Sequence, residues 1–283
     1  PAADEKLTAH DQAVAAGGPA TGAAAAFSHL GGAATLLTAV GDHPLSSGIK
    51  ADLSDLGVRV IDLAAGMPDT PAVSSILVTA ATGQRAVASI NAAQHRLRAP
   101  EDLDALLEDA GIVELDGHHG ELALAVAKAA RRRGRLTVFD GGSWKEGTGE
   151  LLSSIDIAVC SADFRPPGTG SAEDVLAYLL GKGVHWAAVS RGGAPILWAG
   201  SDGAHGEVRV PETAVVDTLG AGDVLHGALT YHLAGRGVPD RARFVGALEA
   251  AAQGASRACA SFGPRSWMTV RPAGTRTDPS GAQ

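Results

Sequence analysis

Cysteine is nearly absent from this 283-residue chain, with two residues in all, and aromatic side chains make up only 4% of it. Cys160 and Cys259 lie far apart and lack C-x-x-C or metal-ligand spacing. Both sit among apolar residues, so they read as small buried side chains in a reducing compartment rather than as a disulfide. Long hydrophobic runs are also missing. No stretch of about 18 apolar residues occurs and no secretory signal is visible, so the expectation is a soluble, cytoplasmic protein. Excess positive charge is lacking too. A net charge of −8 and a pI near 5.6 argue against a nucleic-acid surface, which requires a basic stripe. The only basic run, Arg131-Arg132-Arg133, closes an Ala-rich helical stretch, where cations suit the helix dipole. The phosphate-binding pattern G-x-x-x-x-G-K-[ST] is absent, which excludes lysine-dependent P-loop chemistry.

Hydrophobic residues make up 45% of the chain, enough for a sizeable core. From about Ala110 onward, apolar runs alternate with amphipathic ones. Strands are expected at Ile112–Leu115, Leu136–Phe139, Ile155–Val159 and Trp186–Val189, with helices at Glu121–Arg133 and Ala172–Leu180. This alternation predicts βαβ units and a mainly parallel sheet covered on both faces, an α/β fold. Nearer the start, a strand is expected over Ala33–Val40 and a helix over Ser46–Leu56. Two stretches break the alternation. Residues 72–90 read as a β-hairpin about Thr82-Gly83, and 194–199 as part of another antiparallel pair. The segment 271–283, rich in Gly, Pro, Thr and Ser, is expected to be disordered, leaving 1–270 as one domain.

The chemistry concentrates in Val215-Val216-Asp217-Thr218-Leu219-Gly220-Ala221-Gly222-Asp223 and the helical run behind it. The two valines read as the end of a buried strand, followed by a tight turn and a helix start. Small residues let a ligand approach the backbone, and free N–H groups at a helix start attract negative charge. Asp223 stands beside that positive hole, placed to take a proton from a hydroxyl. The bland alternative is that Asp223 only complements the helix dipole. A second stretch, Gly17-Gly18-Pro19-Ala20-Thr21-Gly22, opens a helix of small residues that ends in Leu30-Gly31. Ala23–Ala26 read as close helix–sheet packing, Gly17 and Gly18 as substrate approach.

Asp217-Thr218-Leu219-Gly220-Ala221-Gly222-Asp223 resembles the signature D-T-x-G-A-G-D of the ribokinase-like, or PfkB, carbohydrate kinases, and the double-glycine segment resembles their sugar-site signature. Within the family the resemblance is nearest to the ketohexose and sulfofructose kinases. It implies a three-layer αβα domain with a small β lid, from strands about 5–16 and 58–91, which often pairs two chains into a homodimer. It also implies transfer of a phosphoryl group from ATP with Mg2+ to a sugar hydroxyl, and it allows a monovalent cation. Asp223 would be the base and Gly220, Ala221 and Gly222 the anion hole. Lys6, Gly17, Gly18, Gly22, Asn91 and His118 would face the sugar. Ser161, Ser190, Gly192, Thr218, Gly222 and Gln253 would face the nucleotide. The family also has a strand carrying a sugar-binding aspartate before the counterpart of Pro1; the sequence leaves truncation and divergence both open.

The residues themselves sharpen some of these roles. Ligands in open α/β sheets bind beyond the carboxyl ends of the strands, where Asp116, His118, Asp140, Ser161 and Ser190 are expected. The adjacent pair His118-His119 has no third ligand nearby in sequence, so no metal site is expected there. Ser161 and Phe164 stand where the family has the Asn and Glu of N-x-x-E. The sulfofructose kinases carry an arginine at the position of His118, and imidazole lacks its bidentate fork. With no aromatic pair to sandwich a base, the expected substrate is a small polar ketose, anionic forms included. Alternatives are a nucleoside or sugar-phosphate kinase and, in another class, a catalytically weak sugar-binding regulator.

Overall fold

The computed structural model describes residues 6–69, 71–90, 97–235 and 237–269. The apolar runs of the central part form β5 (Ile112–Leu115), β6 (Leu136–Gly141), β7 (Ile157–Ser161) and β8 (Trp186–Arg191), all parallel to one another. β9 (Ala194–Gly200) and β10 (His205–Val208) continue the sheet antiparallel, giving the order β10-β9-β8-β7-β6-β5. The crossovers are α4 (Gly120–Arg132), α5 (Thr148–Leu151) and α6 (Ala172–Gly181). The last of these starts on a reciprocal capping box between Ser171 and Asp174. α7 (Ala221–Leu233) and α8 (Arg241–Cys259) follow the sheet.

Strand alternation sorts the core into two layers. Ala158, Cys160, Ala187, Val189 and Phe139 face α4 and α6, while Ile157, Val159, Trp186, Ala188 and Val138 face α7 and α8. On the second face Phe244 is fully buried and stacks on Trp186 at 5.0 Å. Removing such a ring costs roughly 3–5 kcal/mol. The result is the expected three-layer αβα arrangement with a mainly parallel sheet.

Before the sheet come α1 (Pro19–His29), β1 (Thr35–Thr38), α2 (Pro44–Asp55), β2 (Arg59–Asp62), the hairpin β3 (Ser75–Val78) and β4 (Arg85–Ala88), and the short α3 (Leu103–Leu106). β1 and β2 pair in parallel over their own small core of Leu36, Leu53 and Val58.

Four expectations need correcting. Val215 and Val216 form no strand: they are 50% and 42% exposed, and the Val216 N–H bonds to Cys259 O at the end of α8. Two valines satisfy a strand pattern equally well on a surface segment. Residues 6–16 carry no strand either, and β2 pairs with β1 rather than with the hairpin. The small residues of α1 pack against α7, helix on helix, rather than on the sheet. A Cβ at Gly227 would meet the carbonyl of Ala23 and, at 2.8 Å, the Cβ of Ala26. The segment 271–283 and Asn91 lie outside the described residues.

Candidate active site

Asp217 builds the turn ahead of α7. Its buried carboxylate accepts the Leu219 N–H at 2.8 Å through Oδ1 and the Gly263 N–H at 3.0 Å through Oδ2. Gly220 then caps the helix at φ +75°, a left-handed conformation that glycine adopts without penalty. The first helical hydrogen bond runs from Val224 N–H to Gly220 O at 2.9 Å. The amides of Gly222 and Asp223 precede it, at the positive end of the helix dipole. The Ala221 N–H leans back toward Thr218 O at 3.4 Å, so it is partly engaged within the turn. Gly222 is exposed, and a Cβ built on it meets nothing within 4 Å. Neither packing nor backbone requires glycine there, so the missing side chain leaves open ground in front of the helix.

Asp223 is partly buried in the first turn of α7, pressed against α1. A Cβ on Gly22 would lie 2.6 Å from Asp223 Cβ and 2.7 Å from its Cγ, besides touching Oδ2. The two glycine-rich signatures therefore meet in space, and Gly22 is small because the aspartate fills its place. Burial, then the charge of Asp140, push the Asp223 carboxyl up to about 7, while His226 and Arg265 pull the other way and Asp116 adds to the rise.

Beneath the turn lies a charged cluster of which the sequence pattern pointed out only Asp140. His226 is buried between Gly222 O, 2.9 Å from Nδ1, and Val159 O, 3.0 Å from Nε2, with Asp140 Oδ1 at 3.5 Å. Glu114 on β5 accepts a 2.7 Å bond from Thr230 Oγ1 through Oε2, and its buried Oε1 has no partner. Burial raises the Glu114 carboxyl to about 7 and also raises that of Asp140. The signal available beforehand for His226 was a histidine on the apolar run of α7, three residues past the aspartate.

The remaining candidates divide. Asp116 joins two of the expected sugar-side segments: its Oδ2 accepts the Ala20 N–H at 3.3 Å, just past Gly18, and its Oδ1 the His118 N–H at 2.9 Å. Ser161 and Ser190 pair in register at neighbouring strand ends. Ser190 Oγ donates to Cys160 O at 3.4 Å and Ser161 Oγ to Gly142 O at 2.7 Å. Phe164 is fully buried, edge-on to Phe139 and Trp144, so that strand end carries a ring where the resemblance implies a carboxylate. Gly192 makes the exposed β8–β9 turn at φ +62°. Gly17 is exposed with open space above it, Gln253 is exposed on α8, and Lys6 is exposed on the irregular segment 6–16.

Two arginines were missed. Arg85 Nη1 reaches from β4 to Thr218, 2.8 Å from its O and 3.1 Å from Oγ1, so the hairpin touches the cradle loop. A Cβ on Gly83 would sit 3.1 Å from Val215 Cγ1. Arg265 Nη2 donates to Ala16 O at 2.9 Å, beside the double glycine. Among the described residues no group of three His, Cys, Asp or Glu side chains could hold a metal ion, and no helix is long and apolar enough to cross a membrane.

The profile described as pfkB family carbohydrate kinase matches residues 2–269. A crystal structure of a candidate ribokinase from Agrobacterium tumefaciens is 26% identical with a TM-score of 0.82, covering 95% of this chain and 87% of that one. Ribokinase from Thermotoga maritima is 20% identical, with a TM-score of 0.76 and coverage of 93% and 87%. Fructokinase from Xylella fastidiosa, crystallised with bound ATP, is 20% identical, with a TM-score of 0.74 and coverage of 89% and 87%.

Proposed function

Since the chain belongs to the pfkB family of carbohydrate kinases, we propose that it transfers the γ-phosphoryl group of ATP to a hydroxyl of a small, ketose-like sugar. Asp223 accepts the hydroxyl proton, and the backbone of Gly220, Ala221 and Gly222 faces the charge on the transferred group. The observation that carries this reading is the open ground over Gly222 beside a carboxyl held at about 7. A base poised near neutrality is suited to taking a hydroxyl proton. Gly17, Gly18, Gly22, His118, Lys6 and Asn91 belong to the sugar side of this reading. Ser161, Ser190, Gly192, Thr218 and Gln253 belong to the nucleotide side. Nucleotide phosphates and water would hold the magnesium that screens the transferred charge, since the buried Phe164 stands where the family's N-x-x-E has its glutamate.

The exposed hairpin residues Val73, Leu77, Val87 and Ile90 support a homodimer joined through these strands in the cytoplasm. Sedimentation tests the dimer, and a strict monomer refutes it. One observation favours a second reading, a catalytically weak sugar-binding regulator: Ser161 and Phe164 in place of the family's Asn and Glu. A screen of ATP turnover over ketohexoses, ribose, sulfofructose and nucleosides separates the two. Asp223→Asn is expected to remain folded and to lose roughly 10²–10⁴-fold in kcat with little change in sugar affinity. Near-normal turnover by this variant overturns the assignment.

A further inference from the structure

The contacts of His226 fix its protonation state. Each ring nitrogen faces a backbone carbonyl at hydrogen-bond distance, Gly222 O on one side and Val159 O on the other. A carbonyl oxygen only accepts, and a neutral imidazole carries one N–H. A neutral ring would therefore set a nitrogen lone pair against an oxygen in a buried place, the kind of unsatisfied contact that costs most. Both contacts are good only when both nitrogens are protonated. The Asp140 carboxylate beside Nε2 completes the argument, because a buried charge needs a partner.

We propose that His226 is a positioning residue that stays protonated at neutral pH. It clamps the Gly222 peptide of the cradle to β7, and it supplies the buried positive charge against which Asp223 ionises. The inference rests on the reading of Asp223 as the base. Asp223 is faced by Asp140 from β6, Asp116 after β5, Arg265 after α8, and His226 from its own helix. His226 is faced in turn by Asp140 and by Glu114 from β5. Two cations thus oppose the carboxylates around the base. Arg265 is shared with Ala16 O and, at 3.9 Å, with Asp52, which leaves His226 as the one of these two cations bonded to the cradle helix. The imidazolium is held up to about 9 by Asp140, Glu114 and the two carbonyls, against the opposing effect of burial.

The test uses the whole chain. Protein labelled with 15N-histidine is followed by long-range 1H–15N spectroscopy, and the His226 ring is assigned by its loss in His226→Gln. Both ring nitrogens should remain protonated at pH 8; a neutral ring there overturns the proposal whatever the activity. In kinetics, the acid limb of kcat/KM should rise by about one pH unit in His226→Gln, a loss of roughly eightfold at pH 6.5 for a carboxyl that starts at about 7, with the KM for sugar little changed. Asp140→Asn/His226→Gln, which removes the opposing charge as well, should move the limb back. A folded His226→Gln with an unmoved limb refutes the positioning role. If instead Asp223→Asn keeps its turnover, the base assignment fails, while the spectrum still reports on the protonation of His226.

Discussion

Replacing Gly22 by alanine should separate stability from catalysis. The added methyl would lie 2.6 Å from Asp223 Cβ and 2.7 Å from Cγ, on the short, stiff part of that side chain. Ordinary contact requires Asp223 or α1 to retreat by about 1 Å, and overpacking of this kind typically costs about 1–3 kcal/mol. Alanine inside a helix returns roughly 0.5–1 kcal/mol relative to glycine, so the net loss of stability is at most about 2.5 kcal/mol and the protein stays folded. Catalysis has no such compensation. A misplacement of about 1 Å at a reacting group costs on the order of 10²-fold. The assay pairs thermal unfolding with kcat and KM for both substrates, with Gly48→Ala on α2 as control. A Cβ at Gly48 meets nothing within 4 Å, so that variant should gain slightly in stability and keep full activity. A folded Gly22→Ala with near-normal kcat would show that the contact between the two signatures does not position the aspartate.

Gly222→Val should melt within a few tenths of a kcal/mol of the parent, since a Cβ there meets no atom within 4 Å, yet lose about 10²-fold or more in kcat/KM; unchanged kinetics would remove the anion-hole reading. Arg85→Ala should leave stability within about 0.5 kcal/mol and lower kcat/KM about tenfold, the worth of one charge-assisted hydrogen bond; equal kinetics would mean that the contact with Thr218 is incidental. Stability should also fall with rising pH. His226, raised from 6.5 to about 9, contributes fully below 6.5 and loses that contribution as pH climbs through 9. Glu114 and Asp223, raised from 4.5 and 3.8 to about 7, act in the same direction over that lower window. Melting temperatures between pH 6.5 and 9.5 check this, and a flat profile contradicts it.

The parallel strands and their crossover helices were legible because each is an apolar run of the right period between clear breaks. β5 to β8 lie within two residues of where the pattern put them. The signature around Gly220 was legible because a left-handed cap and an open helix start need glycine at fixed positions. Pairs that meet across the fold were not. Arg85 reads as one more polar residue on an exposed hairpin until the chain brings it to Thr218. His226 reads as a core histidine until Gly222 O and Val159 O close on both its nitrogens. Val215 and Val216 show the opposite failure, a good strand pattern with no neighbouring strand to pair with.

The contact between Gly22 and Asp223 also bears on when the protein becomes active. The two residues are about two hundred positions apart, so they belong to the slow, non-local class of contacts that form late. While α7 is still inside the ribosome, the emerging chain already holds β1, the hairpin and most of the sheet, but no cradle and no aspartate. The phosphates of a nucleotide therefore find no anion cradle on an unfinished chain. Protection by ATP should begin only after the last two helices are released, which makes nucleotide-dependent protease resistance a reporter of completed folding.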